Sequence, residues 1–224
     1  MPDRIKERWV EHTHDAERQV RLAFGEDATV LTMARDALPR LEKLKGSEID
    51  PEDVSILLFL QRQALNEATR AALKLGRFAE AEITVRALVS LPFATGVLSD
   101  RIFLDRPDDA GWARVLLAQA VAEQGRHTEA LKTLEPALAH YRDAQVQGVA
   151  HLNFRHRFAR ALYVQALAEP ADGGGTARRR DSLGEAARLL HDLSDEARQL
   201  HDSKELLSWI AAAQEKLNRE GRQP

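Results

Sequence analysis

The sequence has no cysteine among its 224 residues, which excludes disulfide bridges, thiolate metal sites and cysteine nucleophiles. Aromatic residues make up only 5%, so the material that fills β-strands is scarce. Neither sign of charge dominates, because 32 lysines and arginines stand against 35 acidic residues and leave a formal net charge of -3. The chain therefore has no bulk field to attract nucleic acid, and we expect no nucleic-acid partner.

Long hydrophobic runs are absent as well. The longest strongly apolar stretch, Val54 to Leu60, is interrupted by Ser55 and is far too short to span a bilayer. The charged first ten residues lack the apolar region of a signal peptide. We expect no membrane insertion and a soluble protein of the cytoplasm, with the periplasm open if the chain is a domain excised from a longer protein.

The sequence is rich in helix-forming residues. Hydrophobic residues make up 44% and charged residues 30%, and alanine, leucine, arginine and glutamate dominate both groups. We therefore predict an all-α fold. Apolar residues at helical spacing predict one helix over 5–25 and a second over 30–46 that is interrupted at Pro39. Pro51, at a favoured first helical position, opens a third that runs to about Gly76.

Two stretches of the chain repeat each other. LKLGRFAEAEITVRALVSL (73–91) and AEQGRHTEALKTLEPALAH (122–140) share Gly-Arg, then Glu-Ala, then apolar residues at matching helical spacing. These residues resemble the tetratricopeptide repeat, a helix-turn-helix unit of about 34 residues. The resemblance assigns the turn, the close helix crossing and a later packing position to Gly76 and Gly125, Ala81 and Ala130, and Leu88 and Ala137.

A third, weaker unit pairs a helix over 153–168 with a second helix that contains Glu185-Ala186, across a flexible loop at 170–176. The resemblance implies antiparallel helical hairpins stacked as a right-handed solenoid with a C-terminal capping helix. The implied organisation is an N-terminal hairpin over 1–50, a repeat region over 51–194 with insertions at 91–109 and 169–178, and the capping helix and tail over 195–224.

Such repeats bind partners through a concave face lined by the first helix of each unit. Carrying that register over predicts a polar, mildly basic face that suits an extended peptide whose carboxylates meet arginines. The peptide-binding residues predicted in this way are Asn66, Arg70, Lys74, Gln119, Glu123, Asn153, His156, Arg160 and Tyr163. The predicted function is a non-catalytic scaffold for a protein or peptide partner. Because the predicted face is mildly basic, an acidic partner is compatible with it.

Two other functions stay open. One is a regulatory or sensor module excised from a larger signalling protein, and the other is an enzyme with an unfamiliar all-α site. The chain has no nucleophile-elbow, phosphate-loop, zinc-protease or calcium-loop motif, so we predict neither catalysis nor a cofactor.

The histidines do not predict a metal site. His12 and His14, and His151 and His156, are spaced two and five apart, which does not align two imidazoles on one helix face. The arginine run 178–180 follows three glycines and could receive a phosphate, but a solvated basic linker explains it more simply.

The insertion at 91–109 is too apolar for a solvated linker, since it contains Phe93, Ile102, Phe103 and Leu104. We expect it to fold back onto its own chain. The alternative is that it docks a second subunit, because large contiguous apolar patches are uncommon on monomers.

Overall fold

A computed structural model of the protein describes residues 27–29, 31–32, 35–36, 38–39, 51–91, 106–149, 152–170, 173–193 and 203–220. The short pieces between 27 and 39 are helical, Pro39 included. Beyond them, these ranges hold α1 (Pro51–Lys74), α2 (Phe78–Ser90), α3 (Arg106–Ala122), α4 (His127–Val146), α5 (Leu152–Ala168), α6 (Gly173–His191) and α7 (Ser203–Glu220). No strand occurs within the described ranges, and the all-α prediction is confirmed.

The two predicted turns have the same backbone geometry. Gly76 has φ 68° and Gly125 has φ 79°, a left-handed conformation that a side chain would strain. After α1, the N–H of Arg77 donates to the carbonyl of Ala72 at 2.8 Å, and the N–H of Gly76 donates to Leu73 at 3.1 Å. The same pair of bonds closes the turn after α3, so both helices end in a Schellman motif.

Small side chains let the two helices of each hairpin approach closely. Ala81 in α2 and Ala130 in α4 have no exposed surface. Leu88 and Ala137, seven residues after these alanines, are also buried. Within the hairpins, α1 packs on α2, α3 on α4 and α5 on α6. The second helix of each hairpin contacts the first helix of the next, and α1, α3 and α5 touch in sequence.

Two predicted loops are partly helical. Helix α3 already begins at Arg106, inside the predicted insertion 91–109, and α6 begins at Gly173, inside the predicted flexible loop. That loop prediction is wrong from Gly173 onward. A helical glycine costs about 1 kcal/mol relative to alanine, and packing of α6 along α5 offsets this cost. Residues 92–105, which carry most of the apolar insertion, lie outside the described residues, as do 1–26.

The C-terminal helix predicted over 203–217 is α7. Its apolar side, Leu206, Ile210 and Leu217, is buried, and it packs on α6 and α5. Its first turn also reaches back to α1, where Glu205 pairs with Lys74 at 3.0 Å. None of the helices in the described ranges is long and apolar enough to cross a bilayer.

Candidate partner-binding face

Polar side chains from α1, α3 and α5 meet on one face, which we call the polar face. It comprises eight of the nine predicted residues, all except Asn153, together with Trp112. The indole N–H of Trp112 in α3 donates to Asn66 Oδ1 in α1 at 2.8 Å. Arg160 Nε in α5 donates to Gln119 Oε1 in α3 at 2.9 Å. These two bonds join the first helices of the three hairpins.

Arg160 is the central residue of this face. It is 1% exposed, and its guanidinium carbon lies 5.5 Å from the ring centroid of Trp112 and 5.3 Å from that of Trp209. No ion pair joins it to another described residue, and its Nη2 atom has no hydrogen-bond partner among them. Burial, reinforced by the positive charge of Arg70, lowers the pKa of Arg160 to about 9. The side chain therefore stays charged at neutral pH without a counter-charge in contact.

The other cations of the face lie at its α1 edge. Arg70 Nη1 bonds Glu67 Oε1 at 2.9 Å on the same helix. Lys74 lies 3.0 Å from a Glu205 carboxylate oxygen and 3.6 Å from one of Asp27. Both cations are mostly buried, with side-chain exposures of 15% and 18%. The face thus holds three cations, and the most buried of them pairs with no acid among the described residues.

Helix α7 covers part of the polar face. Ser203 Oγ and His156 Nδ1 lie 3.0 Å apart, and the Trp209 ring lies 6.0 Å from that of Tyr163. Ser203 has no exposed surface, so its contact with His156 lies within the interface between α5 and α7. It fixes the first turn of α7 against α5.

A cleft remains between α7 and the rest of the face. It has a volume of about 520 Å³ and lies among α5, α6, α7 and the turn from α3 to α4, with Glu123, Tyr163, Trp209 and Lys216 in its wall. Burial raises the pKa of Glu123, and the nearby Lys216 partly opposes that rise. Burial also raises the pKa of the Tyr163 hydroxyl. The cleft combines an aromatic wall with the carboxyl group of Glu123, the amine of Lys216, the guanidinium of Arg179 and the imidazole of His127.

The structure brings together eight of the nine predicted residues, but four of them are more buried than a solvated groove requires. Gln119, His156, Arg160 and Tyr163 are all less than 9% exposed, because α7 and the neighbouring first helices cover them. Asn153 stands apart, since it is exposed in the first turn of α5 and makes no hydrogen bond or ion pair to the described residues. The expectation that Arg160 is a solvated surface charge is wrong.

Sequence reasoning missed three residues of this region, Ser203, Glu205 and Trp209, because it placed their helix beyond the last hairpin as a cap. One signal was available. Glu205 and Trp209 are four residues apart and therefore share a helix face, where an acid and a large aromatic could meet the predicted basic groove.

The arginine run and the histidines have structural neighbours. Arg178 pairs with Glu169 at 2.9 Å, and Arg179 donates to the carbonyl of Ala166 at 3.2 Å. Arg180 is exposed. In the part of the chain that the structure describes, no group of three or more metal-ligating side chains is found.

Comparison with known proteins finds no matching family model, no matching curated protein and no matching solved structure. The function is therefore inferred from the residues and their geometry.

Proposed function

We propose that this chain is a non-catalytic interaction module that binds a carboxylate-bearing peptide or protein segment on its polar face. In this proposal the hairpins form a right-handed solenoid of tetratricopeptide-like units, and α7 closes its end. The repeated Schellman turns, the buried alanines at both helix crossings and the sequential contact of α1, α3 and α5 support it.

The observation that carries the proposal is the buried, uncompensated charge of Arg160. Removing a guanidinium from water costs several kcal/mol, and the cost is recovered only when an opposite charge and hydrogen bonds replace the water. Here one amide and two indoles are the replacement, and Nη2 is unsatisfied. A partner carboxylate would supply the missing charge-assisted hydrogen bond. We infer that binding a carboxylate, rather than folding, explains why a charged arginine is buried at this position.

The proposal assigns recognition, and not catalysis, to the polar face. Ser203 of α7, which lies against the face, is buried, and Glu123 and Lys216 both line the cleft. Recognition needs what the face does have, namely cations and amides that can hold an extended or helical segment in register.

The test uses random peptides displayed on phage and selected on the wild-type chain. Selected peptides should share an acidic residue and should bind the Arg70→Glu variant at least about tenfold more weakly, a loss of about 1.4 kcal/mol. Arg70→Glu replaces a repulsion of Arg160 by an attraction but loses the bond to Glu67, so its melting temperature is measured in parallel and affinities are compared on folded protein only. Affinity should also fall as salt is raised, since exposed charge pairs are screened.

Arg114→Glu is the matched control. Arg114 is an exposed arginine on α3 with no ion pair to the described residues, so this variant makes the same charge change away from the polar face. Peptides that bind Arg70→Glu as tightly as wild type, or that are lost equally on Arg114→Glu, would show that the polar face is not the binding site.

A further inference from the structure

Helix α7 presents three side chains to the polar face from its first two turns. The Ser203 hydroxyl meets His156 at 3.0 Å, the Glu205 carboxylate meets Lys74 at 3.0 Å, and Trp209 lies 5.3 Å from the Arg160 guanidinium carbon. The helix therefore places a hydroxyl, a carboxylate and an aromatic ring where a partner would place such groups.

The match between α7 and the face is incomplete in charge. Glu205 is the only acid of α7 in an ion pair with the polar face among the described residues, and it pairs with Lys74. Arg160 feels Glu205 only at a distance, and its Nη2 atom has no partner among the described residues. A carboxylate placed closer to Arg160 would make a contact that α7 does not make.

The match is incomplete in packing as well. Beside the second half of α7 lies the cleft of about 520 Å³, bounded by Ala212, Ala213 and Lys216 of α7 and by Glu123, which follows the end of α3. The opposite side of α7 is exposed at Lys204, Ser208, Ala211 and Glu215. Only one side of the helix is bound, and part of that side borders the cleft.

We propose that α7 is an internal ligand of the polar face, displaced by a partner helix that carries an acidic residue and, one turn later, an aromatic residue. The inference rests on the proposed function and names the partner class for the same face. Charge complementarity carries it, because the acid and aromatic of the partner repeat what Glu205 and Trp209 offer. The partner gains where its carboxylate also satisfies Arg160. It must outcompete a helix of the same chain, and covalent attachment gives that helix a high effective concentration.

The experiment uses a fluorescent synthetic peptide of residues 203–220 added to the full chain, with binding read by anisotropy. Glu205→Lys places a cation opposite Lys74, weakens the docking of α7 and should expose the face. The peptide, which retains the glutamate, should then bind at least about tenfold more tightly than it binds wild type. Glu215→Lys is the matched control, because Glu215 is an exposed glutamate of α7 that pairs only with Arg219 on the same helix.

A cross-linked variant tests the same inference in a folded chain. The chain has no native cysteine, so Lys74→Cys with Glu205→Cys gives two unique thiols at the ion-pair positions. The untreated double variant lacks the Lys74–Glu205 pair that holds α7, so it should bind the peptide more tightly than the cross-linked chain does, although Lys74 is no longer present to pair with the peptide glutamate. Joining the thiols with a short bismaleimide should abolish binding by holding α7 in place. This comparison keeps the inference testable if Glu205→Lys fails to fold.

The outcomes separate the two proposals. Equal binding of the peptide to wild type, Glu205→Lys and the cross-linked chain would show that α7 does not occupy the binding site. Absence of binding to every variant would also overturn the inference. Either result leaves the proposed function intact if phage-selected peptides still depend on Arg70. If the phage-selected peptides bind Arg70→Glu as tightly as wild type, the proposed function itself is refuted. That comparison uses Arg70→Glu and Arg114→Glu, which do not change α7.

Discussion

Two charged clusters in the same set of helices differ in how their charges are paired. In the first, which we call the ionic network, Glu82 of α2 accepts hydrogen bonds from Arg86, Gln124 and Arg126. The hydrogen bond from the side-chain amide of Gln124 measures 2.9 Å. Glu129 of α4 pairs with both arginines, at 3.1 and 3.0 Å. Each of these charges has an opposite charge beside it. In the polar face, Arg160 has none among the described residues.

The difference appears in the pKa shifts of Glu82, which is partly exposed, and Arg160, which is buried. Burial alone would raise the pKa of Glu82, but its hydrogen bonds and the charge of Arg126 outweigh burial and lower it. For Arg160, burial is the largest effect and Arg70 adds to it, so the pKa falls to about 9. In the ionic network each charge has an opposite charge beside it. In the polar face the buried guanidinium of Arg160 has no acid in contact among the described residues, and this is the group for which we propose a partner.

The largest expected effect tests the helical frame that holds both clusters. Ala130 is fully buried where α4 crosses its neighbours. Ala130→Leu should overpack that crossing and lower the free energy of unfolding by about 1–3 kcal/mol. Chemical denaturation followed by circular dichroism measures the change.

Ala139→Leu is the control for that substitution, since Ala139 is exposed on the same helix and should change stability by less than about 0.5 kcal/mol. If the two variants are equally stable, the Glu-Ala alignment of the two repeats does not mark the helix crossing, and the two clusters are not held by equivalent hairpins.

The sequence predicted the hairpins well for local reasons. Gly-Arg at a turn requires a left-handed residue at one position, and an alanine five residues after the glycine fits a close crossing, so Gly76, Ala81, Gly125 and Ala130 are all found as expected. The start of α6 was missed because Gly173 to Gly175 have low intrinsic helix propensity, whereas packing on α5 is a tertiary effect.

The candidate site was predicted in its membership but not in its environment. Spacing along α1, α3 and α5 placed Asn66, Gln119 and Arg160 on one face. Amphipathicity shows which side of α7 is apolar but not which surface that side covers. The burial of Arg160 therefore could not be read from the sequence, where a charged residue indicates exposure by default.

The second largest loss of stability is expected on substitution within the ionic network. Glu82→Gln removes the charge that holds Arg86 and Arg126, and should cost about 1–2 kcal/mol at neutral pH. The folded-state pKa of Glu82 lies below its ordinary value of 4.5, so its contribution is present above pH 4.5 and is lost as pH falls through the folded-state value. The stability difference between wild type and Glu82→Gln should therefore narrow in acid.

Glu135→Gln is the matched control, because Glu135 is exposed on α4 and forms no ion pair with the described residues. It should leave stability nearly unchanged at every pH. A Glu82→Gln chain as stable as this control would remove the contrast between the two clusters, since the network would then contribute as little to folding as an isolated surface acid.

The smallest expected change in stability is at Arg160, where it is also the most informative. Arg160→Met keeps a long unbranched side chain but removes the buried charge. It loses the bond to Gln119 and the contacts with two indoles, and it recovers the cost of desolvating a guanidinium. Replacing buried charges by apolar groups is often neutral or stabilising, so we expect a free energy of unfolding between unchanged and about 1 kcal/mol higher.

The pH dependence of that difference identifies its cause. Folding lowers the pKa of Arg160 from its ordinary, much higher value to about 9, so above pH 9 the unfolded state binds more protons and wild-type stability should rise relative to Arg160→Met. Denaturation of both chains at pH 7 and pH 10 measures this. Phage-selected peptides should lose at least about tenfold in affinity for Arg160→Met, the same loss as for Arg70→Glu. A variant that loses stability but keeps peptide binding would make Arg160 a structural residue and end the contrast, because both clusters would then serve the fold.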